Sequence, residues 1–127
     1  MSIEAVVFDW GGTLSVYADI ELIDMWHLAA DHLARETGRD RDELRQQLLA
    51  AEQRYWEGVK LTQRTGTLAD ILAEESRALG LNVSEAVIAE AAQRHLDAWT
   101  PHIVHHADAV STLRTLRERG LKIGLLS

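Results

Sequence analysis

The stretch Ile3-Glu4-Ala5-Val6-Val7-Phe8-Asp9-Trp10-Gly11-Gly12-Thr13-Leu14 decides how the chain folds. Ile3–Phe8 is a short β-rich run whose end is continuously apolar, the pattern of a strand covered on both faces, as in a parallel sheet. The run stops at Asp9, and two glycines follow that permit a tight turn. An Asp leaving a buried strand in this way presents its carboxylate at the strand's carboxyl end, where open parallel sheets bind their ligands. Backbone N–H groups released from the ladder beside it form an anion nest, which makes Trp10 and Gly11 the expected phosphate contacts. Asp and Gly favour turns whatever their function, so the string by itself also allows a plain turn. The Trp10 ring either borders the site or packs behind the loop.

Helical punctuation follows. Asp19 is placed to cap a helix carrying Ile20, Ile23, Trp26 and Leu33, stopped by Gly38. Asp40 and Glu43 have capping-box spacing ahead of Leu44, Leu48, Ala51 and Tyr55, with Gly58 as the expected stop. Thr67 caps a third helix ended by Gly80, and Ser84 opens a fourth that halts at Thr100-Pro101. A fifth runs from about Asp108 to Arg119, basic in its last turns and followed by Gly120. Leu121–Leu126 is then a second strand, and the chain ends at Ser127. The order is strand, four helices, a fifth helix, strand. It predicts an α/β fold with two adjacent parallel strands, in which residues 1–16 and 100–127 form a partial Rossmann-like core and residues 17–99 a helical insertion. Two parallel strands leave unpaired edges and a sheet that needs cover. The chain is therefore expected to be an N-terminal part that self-associates when isolated.

Composition narrows the function. The 127 residues are 46% hydrophobic and 26% charged and contain no cysteine, which excludes disulfides and thiolate metal sites. A net charge of −7 with no basic stripe argues against a nucleic-acid partner. No apolar run reaches the ~18 residues of a membrane helix, and the start lacks signal-peptide character. A cytoplasmic protein with no membrane partner is the expectation.

Val-Val-Phe-Asp9-Trp10-Gly11-Gly12-Thr13-Leu14 resembles the first motif of the haloacid dehalogenase superfamily, an apolar strand followed by Asp-x-Asp-Gly-Thr-Leu. Leu116-Arg117-Glu118-Arg119-Gly120 through Ser127 resembles the approach to that family's second motif, a strand ending in Ser or Thr. The helical stretch between them has the position of the family's helical cap. The resemblance spans the whole chain. It implies that Asp9 is the catalytic nucleophile, forming an aspartyl intermediate. It implies that Ser127 hydrogen-bonds the transferring phosphoryl group, and that Asp9 and the Gly11 carbonyl bind Mg2+. The substrate implied is a small phosphorylated molecule, and Mg2+ accounts for how an acidic protein would hold it.

Two departures bear on the reaction. Phosphatases of the family carry a second Asp where this chain has Gly11, and that Asp protonates the leaving oxygen. Such an acid is worth ~10²–10⁴ in rate. Dehalogenases and phosphonate-cleaving members also lack it, which makes cleavage of a carbon–halogen or carbon–phosphorus bond the alternative reaction. A non-catalytic association module is the alternative outside enzymes. Gly11 is expected to be able to hold a positive φ, which an introduced Asp would tolerate only at about 1 kcal/mol or more. The family's later Lys and acidic pair would lie beyond Ser127, and neither Lys60 nor Lys122 is placed to replace that Lys. The chain alone is therefore expected to be inactive.

The remaining residues of interest read as structure. His102, His105 and His106 fall after Pro101 and read as a solvated linker. Trp26, Tyr55 and Trp99 lie on apolar helical stripes and are expected in the core. Arg64, in the segment between two insertion helices, reads as a solvated loop residue or, less favoured, as an anion contact.

Overall fold

The computed structural model describes residues 2–126. The predicted strands form where the apolar runs lie. β1 (Ala5–Asp9) pairs in parallel with β4 (Lys122–Leu126), in register from Ala5 opposite Lys122 to Asp9 opposite Leu126. A short antiparallel ribbon joins β2 (Ser15–Val16) to β3 (Val104–His105). Between β2 and β3 the chain is helical: α1 (Leu22–Met25), α2 (His27–Thr37), α3 (Arg41–Thr62), α4 (Leu68–Ala78) and α5 (Glu85–Trp99). After β3 comes α6 (Ala109–Glu118). The result is an α/β fold in which parallel strands are separated in sequence by a helical region. The chain divides into two compact units, one running through Asp19 and resuming at His102, the other Ile20–Pro101.

Local capping chemistry sets most helix starts. The Asp40 carboxylate accepts from the Glu43 N–H at 2.8 Å. Thr67 and Asp70 form a reciprocal capping box, and Ser84 accepts from the Val87 N–H. Two boundaries differ from the sequence reading. The helix expected from Asp19 to Gly38 is two helices divided at Trp26, and α1 starts after Glu21 without a side-chain cap. Gly58 does not stop α3, which continues to Thr62 and closes on Gln63 at φ +56°. An interior glycine costs a helix only about 1 kcal/mol, which weakens a helix without ending it. Among the described residues no helix is long and apolar enough to cross a membrane.

The helical unit has its own core, built from Trp26, Ala29, Ala30, Leu33, Leu44, Leu48, Leu72, Ile88 and Ala91. Trp26 is 1% exposed. A buried indole needs an acceptor for its N–H, and Glu52 supplies one at 2.8 Å. His95 lies against the indole with ring centroids 4.0 Å apart, and its Nδ1 has no hydrogen-bond partner among the described residues. Tyr55 and Trp99, expected in this core, are only half-buried. The Tyr55 hydroxyl instead bonds the backbone of Gly66, and Arg64 lines the cleft between α3 and α4 with it.

The strand unit is less covered. The sequence predicts a sheet buried on both faces, yet Val7 is 63% and Leu125 62% exposed. Beside them Val110, Leu113, Leu121 and Ile123 line an apolar groove edged by Arg114, Arg117 and Lys122. The 127-residue chain should therefore bind a hydrophobic fluorescent dye while folded. Val7→Thr with Leu125→Thr should lower that signal without lowering helical circular dichroism, and an unchanged signal would show that the dye binds elsewhere.

Burial pushes the His95 pKa down, against the opposing pull of Glu52 and a hydrogen bond to the Met25 backbone. A depressed folded pKa means that the fold prefers neutral imidazole. Its contribution is whole above the unfolded value of about 6.5 and is lost as pH falls through the folded value. The melting temperature should thus fall on acidification below about pH 6.5, and the fall should be shallower in His95→Leu. Parallel pH curves for the two proteins would rule this out.

Candidate active site

β1 delivers Asp9 to the carboxyl end of the parallel pair, opposite Leu126. Its side chain is exposed, and Thr13 Oγ1 donates to Asp9 Oδ2 at a long 3.4 Å. The following residues wind around one acceptor. The Trp10 carbonyl receives the N–H groups of Thr13, Leu14 and Ser15 at 3.2, 3.0 and 3.1 Å, and the buried Ser15 hydroxyl at 3.2 Å. The Gly12 N–H donates to the Ser15 carbonyl at 2.8 Å.

The N–H groups of residues 13–15 are directed at the Trp10 carbonyl and that of Gly12 at the Ser15 carbonyl. The Gly11 N–H is left without a backbone acceptor among the described residues. The Trp10 ring is half-buried and packs edge-on against His105, with centroids 6.3 Å apart and planes at 62°. The expectation for Ser127 lies outside the described residues.

The glycines divide their roles differently from the sequence reading. Gly12 carries the positive φ, +79°, and a Cβ there would stand 3.4 Å from the Tyr17 hydroxyl. Gly11 has no positive φ, and a Cβ on it would meet nothing within 4 Å. The strain anticipated at Gly11 therefore belongs to Gly12, and position 11 faces open space.

Two oxygens of the turn are available to a cation: the Asp9 carboxylate and the Gly11 carbonyl, which accepts no hydrogen bond among the described residues. Mg2+ keeps several waters and uses one or two carboxylates together with substrate phosphate oxygens, so this donor set fits its needs in part. No group of three or more acidic or histidine side chains placed to hold a metal occurs among the described residues.

The chain matches the family model described as haloacid dehalogenase-like hydrolase over residues 3–127, and it belongs to that hydrolase family. None of the curated proteins compared with it matches.

His105 is the residue that sequence reasoning passed over. It is not in a free linker: it pairs with Ser15 in β2, and the next N–H, from His106, donates to the Leu14 carbonyl at 3.0 Å. A signal for this exists in the sequence. The segments entering and leaving an insertion must approach each other, which brings residues just after Pro101 toward those just after Gly12.

The division between the glycines is directly testable. Gly12→Ala should lower stability by about 1 kcal/mol or more, from its left-handed φ. Gly11→Ala should stay within about 0.5 kcal/mol of the parent. Urea midpoints of the two variants decide it, and equal losses would contradict the assigned conformations.

Proposed function

We propose that this hydrolase is a Mg2+-dependent phosphatase of small phosphorylated metabolites, with Asp9 as the nucleophile. The observation that carries the reading is an exposed carboxylate at the carboxyl end of a parallel strand, beside a Gly11 N–H and carbonyl that make no backbone hydrogen bond among the described residues. In the helical region no residue points to one metabolite, so the substrate is given only as a class. The strand unit is read as the Rossmann-like core and Ile20–Pro101 as the cap.

Asp9 attacks phosphorus through one carboxylate oxygen, the ester P–O bond breaks, and an aspartyl-phosphate forms. Water then releases inorganic phosphate and restores the carboxylate. Thr13 steadies the carboxylate through its hydroxyl, and the Gly11 N–H, with Trp10 bordering it and Ser127 as the further proposed contact, orients the phosphoryl oxygens. Asp9 and the Gly11 carbonyl would hold Mg2+, which when bound offsets the negative charge of nucleophile and substrate. Self-association of the 127-residue chain belongs to the same reading and is supported by the exposed apolar residues of its strand unit.

A second reading has a specific support. Position 11 carries no side chain and faces open space, which suits a reaction whose leaving group needs no proton, such as carbon–halogen or carbon–phosphorus cleavage.

Full-length protein assayed on phosphate monoesters, haloalkanoates and phosphonates, with Mg2+ or with chelator, separates the readings. Mg2+-dependent release of phosphate from monoesters is expected. Asp9→Asn should reduce that rate by several orders of magnitude. Its metal-free melting temperature should hardly move, because among the described residues the Asp9 side chain makes one long hydrogen bond. Rapid turnover by the Asn variant would refute covalent catalysis through Asp9, and halide release alone would transfer the assignment to the second reading.

A further inference from the structure

Cleaving a phosphate ester of an ordinary alcohol leaves an alkoxide, which needs a proton as the P–O bond breaks. The residues of the turn cannot provide it. Between Trp10 and Ala18 there is no carboxyl group, and Asp9 as nucleophile must be ionised. The Thr13 hydroxyl is directed at Asp9, and the Ser15 hydroxyl is buried against the Trp10 carbonyl. Tyr17 places its hydroxyl near Gly12, but the residue is 82% exposed and no hydrogen bond among the described residues holds that hydroxyl toward the turn.

The ribbon brings in a different group. Register sets His105 opposite Ser15, and the His106 N–H to Leu14 carbonyl bond fixes the strand immediately after it. The His105 ring leans edge-on against Trp10, the residue next to the nucleophile, while the side chain stays exposed. An indole edge contact of this kind restricts where the imidazole swings without desolvating it. Imidazole is the side chain best suited to exchange protons near neutrality, because both of its forms are populated there. Open space at Gly11 leaves room for a leaving group on the same turn.

We propose that His105 is the proton donor for the leaving oxygen, the role that no side chain of the Asp9 turn fills. The proposal rests on the phosphatase reading. In the first half-reaction an Asp9 oxygen bonds to phosphorus, the P–O bond to the alcohol breaks, and a ring N–H of imidazolium His105 passes its proton to that oxygen. The products are the aspartyl-phosphate, the free alcohol and neutral imidazole. In the second, neutral His105 accepts a proton from the water that attacks the aspartyl-phosphate. Phosphate leaves, and carboxylate and imidazolium return.

The test compares an alkyl phosphate with p-nitrophenyl phosphate, whose leaving oxygen needs no proton, in full-length protein with Mg2+. His105→Asn should lower kcat/KM on the alkyl ester by ~10² or more and change the p-nitrophenyl rate only a few-fold. The p-nitrophenyl rate also reports folded enzyme, so loss of structure is not mistaken for loss of the acid. Imidazole in the buffer should restore part of the alkyl rate. Gly11→Asp in the His105→Asn background should restore it further, because position 11 is free of strain. His106→Asn should leave the ratio of the two rates unchanged. An unaltered ratio in His105→Asn, or the same selective loss in Tyr17→Phe instead, overturns the proposal while leaving Asp9 chemistry intact. A parent enzyme inactive on both esters overturns the phosphatase reading and this proposal with it.

Discussion

The carbonyl oxygen of Trp10 is the point about which the candidate site is organised. Four donors converge on it from Thr13, Leu14 and Ser15, although a carbonyl has only two lone pairs, so the bonds are shared. Sharing forces the chain to curl within a few residues of leaving β1, and the curl requires the left-handed conformation that Gly12 adopts at φ +79°. With the turn closed on itself, Ser15 is buried and Val16 directed into the ribbon with β3. The position of His105 thus follows from an acceptor next to Asp9. The same closure leaves the Gly11 N–H and carbonyl without backbone hydrogen bonds among the described residues, one suited to an anion and the other to a cation.

The helical unit depends on a comparable single contact. Trp26 interrupts the helix that would otherwise join α1 to α2 and becomes the largest buried side chain of that unit. An indole brings one polar atom into an apolar core, and Glu52 meets it from α3. Glu52 also draws a positive charge toward His95, while burial resists that charge. The stacked pair Trp26–His95 therefore ties packing in α5 to the protonation of one ring. A second acid, Glu75, is buried nearby in α4 and is held by Arg54 at 2.8 Å, so acidic side chains inside this unit have defined partners.

Sequence reasoning succeeded where the determining interactions are local. Asp40, Thr67 and Ser84 cap helices because a side-chain oxygen three residues ahead of an N–H needs no tertiary information. The paired strands were legible from their apolar runs, and Asp9 from its place at the end of one. What failed has other causes. Gly58 looked like a stop because glycine is a poor helix former, but its cost of about 1 kcal/mol is too small to end a helix, and α3 runs on to Thr62. Asp19 looked like a cap, yet the chain there belongs to the strand unit and the helix begins later. The division of roles between Gly11 and Gly12 depends on which carbonyl the turn closes upon, and a pair of identical residues does not encode it. His105 was hidden because its pairing with Ser15 crosses the entire helical region.

The reaction then reduces to the question of where a proton resides. A carboxylate at the end of a parallel strand is a competent nucleophile for phosphorus and for carbon alike, so Asp9 by itself does not choose between ester and halide. A halide departs as a stable anion and gains nothing from a neighbouring acid. An alkoxide departs with difficulty unless it is protonated, and a site that handles such esters must keep a donor within reach of the leaving oxygen. The turn as folded supplies none of its own, since its hydroxyls are turned toward Asp9 and the Trp10 carbonyl. The return strand, however, seats an imidazole against the residue following Asp9. A halide-releasing enzyme would need such a ring only to activate the water that frees Asp9, whereas a phosphatase without a carboxyl at position 11 would need it in both half-reactions. On the proposed reading the ribbon between β2 and β3 favours the ester, through a residue far from Asp9 in sequence.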